Sequence, residues 1–134
     1  MIKKQPVYYI GSNITLGLKL FCQFPIELHA EIKRGSKFFI SRRIRFENDG
    51  QEILVGRNQN GDNLENTGLF DCRVLSRKHA FMIFSQGYFY VKDLDSSNGT
   101  FLNGKRIFPS VPYKLSPRDV IQFGQVYLHT YLLI

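Results

Sequence analysis

With 134 residues the chain is long enough for one hydrophobic core and short for two, so its motifs are expected to serve a single site. Its 12 phenylalanines and 7 tyrosines, with no tryptophan, favour pleated surfaces over helices and point to an all-β class. A formal net charge of +7 favours acidic partners, whether nucleic acid, anionic lipid or a phosphorylated protein, while the lack of a run of five cations excludes a polybasic tail.

The N-terminus opens on Lys3 and Lys4 and runs into Ile14, Leu16, Leu18, Leu20 and Phe21, which superficially suggests a signal peptide. Asn13, Thr15, Lys19 and Gln23 interrupt that stretch and no small-residue cleavage site follows, so none is expected. No apolar run reaches 18 residues, and no membrane-spanning helix is expected either. Cys22 and Cys72 lie far apart, without metal-ligand spacing or the density of a disulfide scaffold. A reducing, intracellular compartment is the expectation.

Pro25 to Gly35 alternates at Ile26, Leu28, Ala30 and Ile32; Leu28 and Ile32 also fit a short helix, and a strand is preferred. Phe38, Ile40, Arg42, Ile44 and Phe46 recur with period two and predict a strand. The turn formers Asn48, Asp49 and Gly50 join it to Glu52–Val55, and the two read as a hairpin. From Arg57 to Gly68 nothing is periodic, which predicts a loop. His79 to Phe84 is nearly all apolar and reads as a strand buried on both faces; Ser85 to Gly87 turns it into Tyr88 to Leu94. Asp95 to Gly99 is a cluster of turn formers, and Asn103-Gly104 is a strong two-residue hairpin signal between Thr100 to Leu102 and Lys105 to Ile107. Tyr113 to Leu115, Val120 to Phe123 and a last strand from Val126 complete a series that suits a β-sandwich.

The chemistry-bearing stretch is LSRKHA, Leu75 to Ala80. As a catalyst it would need His79 to activate Ser76, with Asp93 or Asp95 orienting the ring. No strained nucleophile elbow surrounds Ser76, and Arg77 and Lys78 disfavour an imidazolium beside them, so catalysis is not expected. His29, His79 and His129 lack partners at metal-ligating spacing; neither a metal nor a cofactor is expected. A histidine at a strand start more simply donates to a nearby carbonyl and fixes the loop before it. Ser76 could be an ordinary turn hydroxyl, and Arg57 and Arg77 ordinary solvated charges. Against that stands their placement: Arg57, Ser76, Arg77, Ser97 and Asn98 all fall at strand-to-loop junctions, and loops at one end of a sandwich can converge. Such a patch offers many donors and suits a phosphate. The alternative is a basic nucleic-acid-binding surface, which would need aromatics exposed beside its cations.

Gly56-Arg57, LSRKHA, SSNGTFLNG (Ser96 to Gly104) and DVIQFG (Asp119 to Gly124) come in the order and spacing of a forkhead-associated (FHA) domain, which the chain resembles over residues 26–134. Residues 1–25 then form an N-terminal extension. The resemblance implies a non-enzymatic, eleven-stranded β-sandwich whose loops at one end bind phosphothreonine peptides in signalling. By position, Arg57 would contact the phosphopeptide, Ser76 and Arg77 would hold the phosphate, Ser97 would line the site, and Asn98 would bond the peptide backbone. Gly56, His79 and Gly99 would be architectural. The implied partner is a phosphothreonine-containing protein, and FDCRVLSRKHA is similar to a subgroup whose partner is a phosphorylated kinase linker. Only residues 125–134 follow DVIQFG, where the family usually adds a long strand pair, so a sandwich incomplete at the C-terminus is expected.

Overall fold

The structure, a computed structural model, describes residues 24–34, 36–59 and 67–132, with side chains for all of these except 34, 38–41 and 130–132. The expectations for the N-terminal extension, for Cys22 and for most of the 57–68 loop lie outside them.

Period-two patterning decides most elements. In β1 (Ile26–Arg34) the side chains of Ile26, Leu28 and Ala30 are buried, which resolves the helix-or-strand ambiguity in favour of a strand. β2 (Lys37–Phe46) buries Ile44 and Phe46 on the same side. Arg42 shares their parity, and its guanidinium stacks 4.5 Å from the Phe70 ring centroid while donating to the Leu69 carbonyl. A cation thus occupies an inward position by pairing with an aromatic face and a backbone oxygen. The remaining strands are β3 (Glu52–Arg57), β4 (Leu69–Phe70), β5 (Ala80–Ser85), β6 (Tyr88–Asp93), β7 (Thr100–Leu102), β8 (Lys105–Arg106), β9 (Tyr113–Lys114), β10 (Val120–Phe123) and β11 (Val126–Leu132).

They form two facing sheets, one of six strands in the order β2-β1-β11-β10-β7-β8 and one of five in the order β4-β3-β5-β6-β9. Asn103-Gly104 makes the expected tight turn, with φ of 50° and 85°, and Gln86-Gly87 makes a similar one at 50° and 90°. The core between the sheets is aromatic: Phe84 and Phe89 lie 4.9 Å apart centroid to centroid, and Phe46 reaches across to Phe89 at 5.5 Å.

Three expectations are corrected. β2 and β3 are not a hairpin: β2 pairs with β1, and β3 with β4 and β5, so Asn48-Asp49-Gly50 is a corner that carries the chain from one sheet to the other. Phe46 and Val55 are both buried, each on the inner face of its own sheet, Phe46 against Phe84 and Phe89 and Val55 beside Ala80. β5 is not buried on both faces: Ala80, Met82 and Phe84 are buried, while Phe81 and Ile83 are half-buried on the outer face. There Phe81 is covered by its cross-strand neighbour Leu54 and by the Lys92 side chain, whose ammonium lies 5.9 Å from the ring centroid. Nor is the sandwich open where the last strands belong. β11 pairs with β10 on one side and β1 on the other, so β10 and β11 themselves are the closing pair.

Phe84 packs against Phe24, Phe46 and Phe89, and it has no solvent exposure. Phe84→Ala should therefore cost about 3–5 kcal/mol of stability, read as a lower urea midpoint with an unchanged slope.

Candidate functional site

Antiparallel register brings three loops to one end. Val55 near the end of β3 pairs with Ala80 at the start of β5, and Ala80 pairs with Asp93 at the end of β6. The segments leaving β3, entering β5 and leaving β6 therefore emerge together, and they carry Arg57, Ser76 with Arg77, and Ser97 with Asn98.

His79 sits behind these loops with no solvent exposure and connects two of them. Its backbone N–H donates to Val55 O at 2.9 Å, and its carbonyl accepts from Leu94 N at 2.9 Å. On the ring, Nδ1 accepts the Ser76 N–H at 3.1 Å and Nε2 lies 2.9 Å from Gly99 O. An acceptor at Nδ1 places the proton on Nε2, which donates to the carbonyl, so the ring is the neutral Nε2–H tautomer. Burial away from water holds its pKa below the usual value, opposed by the Gly99 hydrogen bond and by the charge of Asp93. The ring edge packs on Phe123 at 5.8 Å. With both nitrogens committed to the backbone, His79 is not a base for the Ser76 hydroxyl. It is the loop-fixing histidine that its position at a strand entry suggests.

Behind the β6–β7 loop lies a polar cluster that the linear sequence does not announce. Asp93 Oδ1 accepts from Ser96 Oγ and from Thr100 Oγ1, each at 2.6 Å, and Oδ2 accepts the Ser96 N–H at 3.1 Å. Ser96 Oγ in turn accepts the Gly99 N–H at 3.0 Å. Burial alone would raise the Asp93 pKa, but these hydrogen bonds and the neighbouring His79 outweigh it and hold the carboxyl below its ordinary value. The signal available in sequence was Asp93 followed three residues later by Ser96, the spacing of a side-chain-stabilised turn.

Two glycines permit the close approaches that this end requires. A Cβ on Gly56 would lie 2.0 Å from the Arg77 carbonyl oxygen, so only glycine lets the β4–β5 loop rest on β3. There Arg57 N donates to Ser76 O at 3.1 Å. Gly99 has φ of +88°, and a Cβ on it would meet the Arg106 guanidinium, 2.6 Å from Nε and 2.9 Å from Cζ. Arg106 therefore lies on the Gly99 backbone.

On this base the ligand-type groups come together. The Ser76 hydroxyl oxygen accepts the Ser97 N–H at 3.0 Å, which joins the two loops directly and leaves its O–H as a donor. Asn98 Nδ2 donates to Val74 O at 2.8 Å, fixing that side chain from the other direction. Arg77, Ser97 and Asn98 are exposed, and Arg57 and Ser76 half-buried. Among the described residues neither Arg57 nor Arg77 makes an ion pair with a carboxylate. Gly56, His79 and Gly99 lie beneath as support.

The family model for the FHA domain matches residues 53–124, which takes in all three loops. The chain belongs to the FHA domain family. This FHA domain is 46% identical over 66 residues to the sarcolemmal membrane-associated protein of Oryctolagus cuniculus, an alignment covering 45% of this chain and 9% of that protein. The chain thus spans a small fraction of the curated relatives it matches. Full-length yeast Pml1p has a similar fold, with a TM-score of 0.64 at 26% identity over 93% of this chain and 91% of that one. So does a structure from work on phosphothreonine-dependent FHA domain interactions, with a TM-score of 0.55 at 21% identity over 77% of this chain and 93% of the other.

The downward shift of His79 makes stability depend on pH in a definite direction. The unfolded chain, with its histidine near the usual 6.5, takes up a proton before the folded one does, so stability is whole above that pH and falls as pH drops below it. The Asp93 shift acts lower: its contribution is intact above 3.8 and is lost as pH falls through the folded value. Urea denaturation from about pH 8 to about pH 5 should show wild-type stability declining. His79→Gln should be less stable at the upper end and show a shallower decline. The difference between the two isolates the contribution of His79, and identical pH slopes would contradict the buried neutral ring.

Proposed function

We propose that this FHA domain, residues 26–134, binds phosphothreonine-containing proteins without catalysis, and that Arg57, Ser76, Arg77, Ser97 and Asn98 form the binding end. The observation that carries the reading is the state of the donors. The Ser76 hydroxyl oxygen accepts the Ser97 N–H, which leaves its own O–H available to donate to a ligand. Arg57, whose backbone N–H donates to Ser76 O, and Arg77, next in sequence, make no ion pair with a carboxylate among the described residues. A dianion with three acceptor oxygens fits such a set, and backbone pinning means little has to be ordered on binding. Ser97 would add a lining hydroxyl, and Asn98, with its amide held to Val74, would present its oxygen to the peptide backbone. Gly56, His79 and Gly99 would act through the loops they support.

The link to phosphothreonine is supported by the FHA family membership and by a structural neighbour from a study of phosphothreonine-dependent interactions. We infer an intracellular setting in signalling, with a phosphorylated kinase linker as one partner, from the likeness to the sarcolemmal membrane-associated protein. No helix among the described residues is long and apolar enough to cross a membrane. A nucleic-acid-binding surface is less well supported: Lys114 lies 3.5 Å from the Tyr88 ring centroid and Lys92 5.9 Å from that of Phe81, so these rings are covered by cations of their own sheet, and a single exposed ring, Phe108, remains beside cations among the described residues.

Arg57→Ala and Ser76→Ala should each weaken phosphopeptide binding roughly ten- to a hundredfold, since a hydrogen bond to a charged group contributes about 1.5–3 kcal/mol, with the melting temperature nearly unchanged. Wild-type affinity in either variant would remove that residue from the site. One peptide in three forms tests the ligand. Phosphoserine lacks only a methyl group and should bind roughly fourfold more weakly than phosphothreonine, the worth of about 0.8 kcal/mol of burial. Glutamate, with one charge and two oxygens, leaves a donor unpaired and should move a micromolar complex towards the millimolar range, a loss of about 4 kcal/mol. Calorimetric titration decides the order, and a glutamate peptide within a few fold of phosphothreonine would mean that no phosphate pocket exists.

A further inference from the structure

One side of the sandwich, next to the binding end, is unlike the rest of the surface. The segment from Lys105 to Tyr113 links β8, an edge of the six-stranded sheet, to β9, an edge of the five-stranded sheet. It displays Phe108 with 74% exposure and Val111 with 47%, two of the three large hydrophobic side chains left open among the described residues. The third, Val74, belongs to the loop that receives Asn98.

The Phe108 segment is held rather than loose. Ile107 N donates to Thr100 O at 3.0 Å, Phe108 N to the Tyr113 hydroxyl at 3.1 Å, and Ser110 N to Asp93 O at 2.8 Å. Pro109 and Pro112 stiffen it further. The bonds to Thr100 and Asp93 attach it to the two ends of the β6–β7 loop, which carries Ser97 and Asn98. Arg106 completes the connection, because its guanidinium lies on the Gly99 backbone beside Asn98. Exposed large apolar groups on a pre-ordered backbone lose little entropy when covered, which is the physical profile of a docking surface.

Charge says what covers it. From Lys105 to Arg118 the chain contains four cations and no carboxylate. Arg106 is exposed and makes no ion pair or hydrogen bond with any described residue. The occupant should therefore bring acidic groups to Arg106 and Lys105 and a large apolar side chain to Phe108 and Val111. The surface begins at the Asn98 end of the phosphate site, so the simplest bearer of those groups is the ligand chain itself.

We propose that Arg106, Phe108 and Val111 form an extension of the binding site. It receives the part of the phosphorylated partner that runs past the phosphothreonine on the Asn98 side, and it selects there for an acidic residue followed or preceded by a large apolar one. This rests on the phosphopeptide reading and adds to it a second, flanking specificity.

An oriented phosphothreonine peptide library, degenerate on both sides, tests it against the wild-type chain, the double variant Arg106→Gln with Phe108→Ser, and Arg57→Ala as a control. Both substituted side chains are exposed, so melting temperatures should match the wild type. The wild type should enrich Asp or Glu together with Leu, Phe or Met on one side of the phosphothreonine. The double variant should still require phosphothreonine but lose that enrichment, and a peptide chosen by the wild type should bind it roughly tenfold more weakly, through loss of a charge contact and a covered ring. A peptide with alanine flanks should bind both equally.

Phosphothreonine selection without a flanking preference in the wild type, or with the preference retained in the variant, would overturn this inference alone. Absence of phosphothreonine selection in the wild type would overturn the phosphopeptide reading together with it. Sedimentation at rising concentration covers the remaining occupant: a wild-type dimer that Phe108→Ser dissociates would assign the surface to a second copy of the chain and overturn the proposal.

Discussion

A neutral, buried imidazole holding an amide of one loop and a carbonyl of another is the constraint on which this cluster of loops depends. Ser76, Arg77, Ser97 and Asn98 sit on loops outside the strand ladders, and such segments need fixed points. Through Ser76 N–H and Gly99 C=O, His79 sets the positions of the β4–β5 and β6–β7 loops relative to each other. The Ser97 to Ser76 bond then adds a link at the surface. No other side chain does this with the same economy. The ring needs an acceptor and a donor on opposite sides, a small flat body that fits under the loops, and neutrality at the pH where the protein works. Burial supplies the last of these.

The carboxylate of Asp93 takes the complementary part. It is a buried acceptor to which Ser96 and Thr100 donate, so the loop that carries Ser97 and Asn98 is shaped from inside by one charge. Charged acceptors make stronger hydrogen bonds than neutral ones, and a satisfied buried network gives a loop one conformation instead of several. The surface residues add only the Ser97 to Ser76 and Asn98 to Val74 links to this internal frame.

Much of this was legible in the sequence, for reasons that can be located. β1, β6 and the Asn103-Gly104 hairpin follow from alternation and from turn chemistry, both local properties. The convergence of Arg57, Ser76 and Asn98 could be expected from their shared position at strand ends, and His79 from its place at a strand entry. What was not legible was non-local. Asn48-Asp49-Gly50 reads the same whether it turns back within a sheet or crosses to the other one; the outcome is set by the partners the two strands find, β1 for β2 and β4 and β5 for β3. The outer-face Phe81 and Ile83 look like core residues in one dimension, because nothing in their own segment tells that Leu54 and Lys92 cover them. The placement of β11 between two strands distant in sequence, and that of Arg106 upon Gly99, depend on the same long-range closure. The roles of individual site residues are a matter of ligand contact, which neither pattern nor fold supplies.

The central place of β11 has a bearing on how the molecule is made. Among the described residues it bridges, in the six-stranded sheet, the β1–β2 ribbon and the β10–β7–β8 group. Leu28 pairs with Leu132, so one ladder joins residues about a hundred positions apart, and closing so long a loop is entropically slow. During synthesis the early ribbon emerges with the β1 edge that β11 will cover still unpaired, and that edge stays so until β11 has cleared the ribosome. That interval is when an exposed edge can pair with a neighbouring chain. Charged side chains of both signs along the ribbon, Glu27, Glu31 and Lys33 on β1 and Arg43 and Arg45 on β2, give it a charged outline, which opposes such pairing before its proper partner arrives.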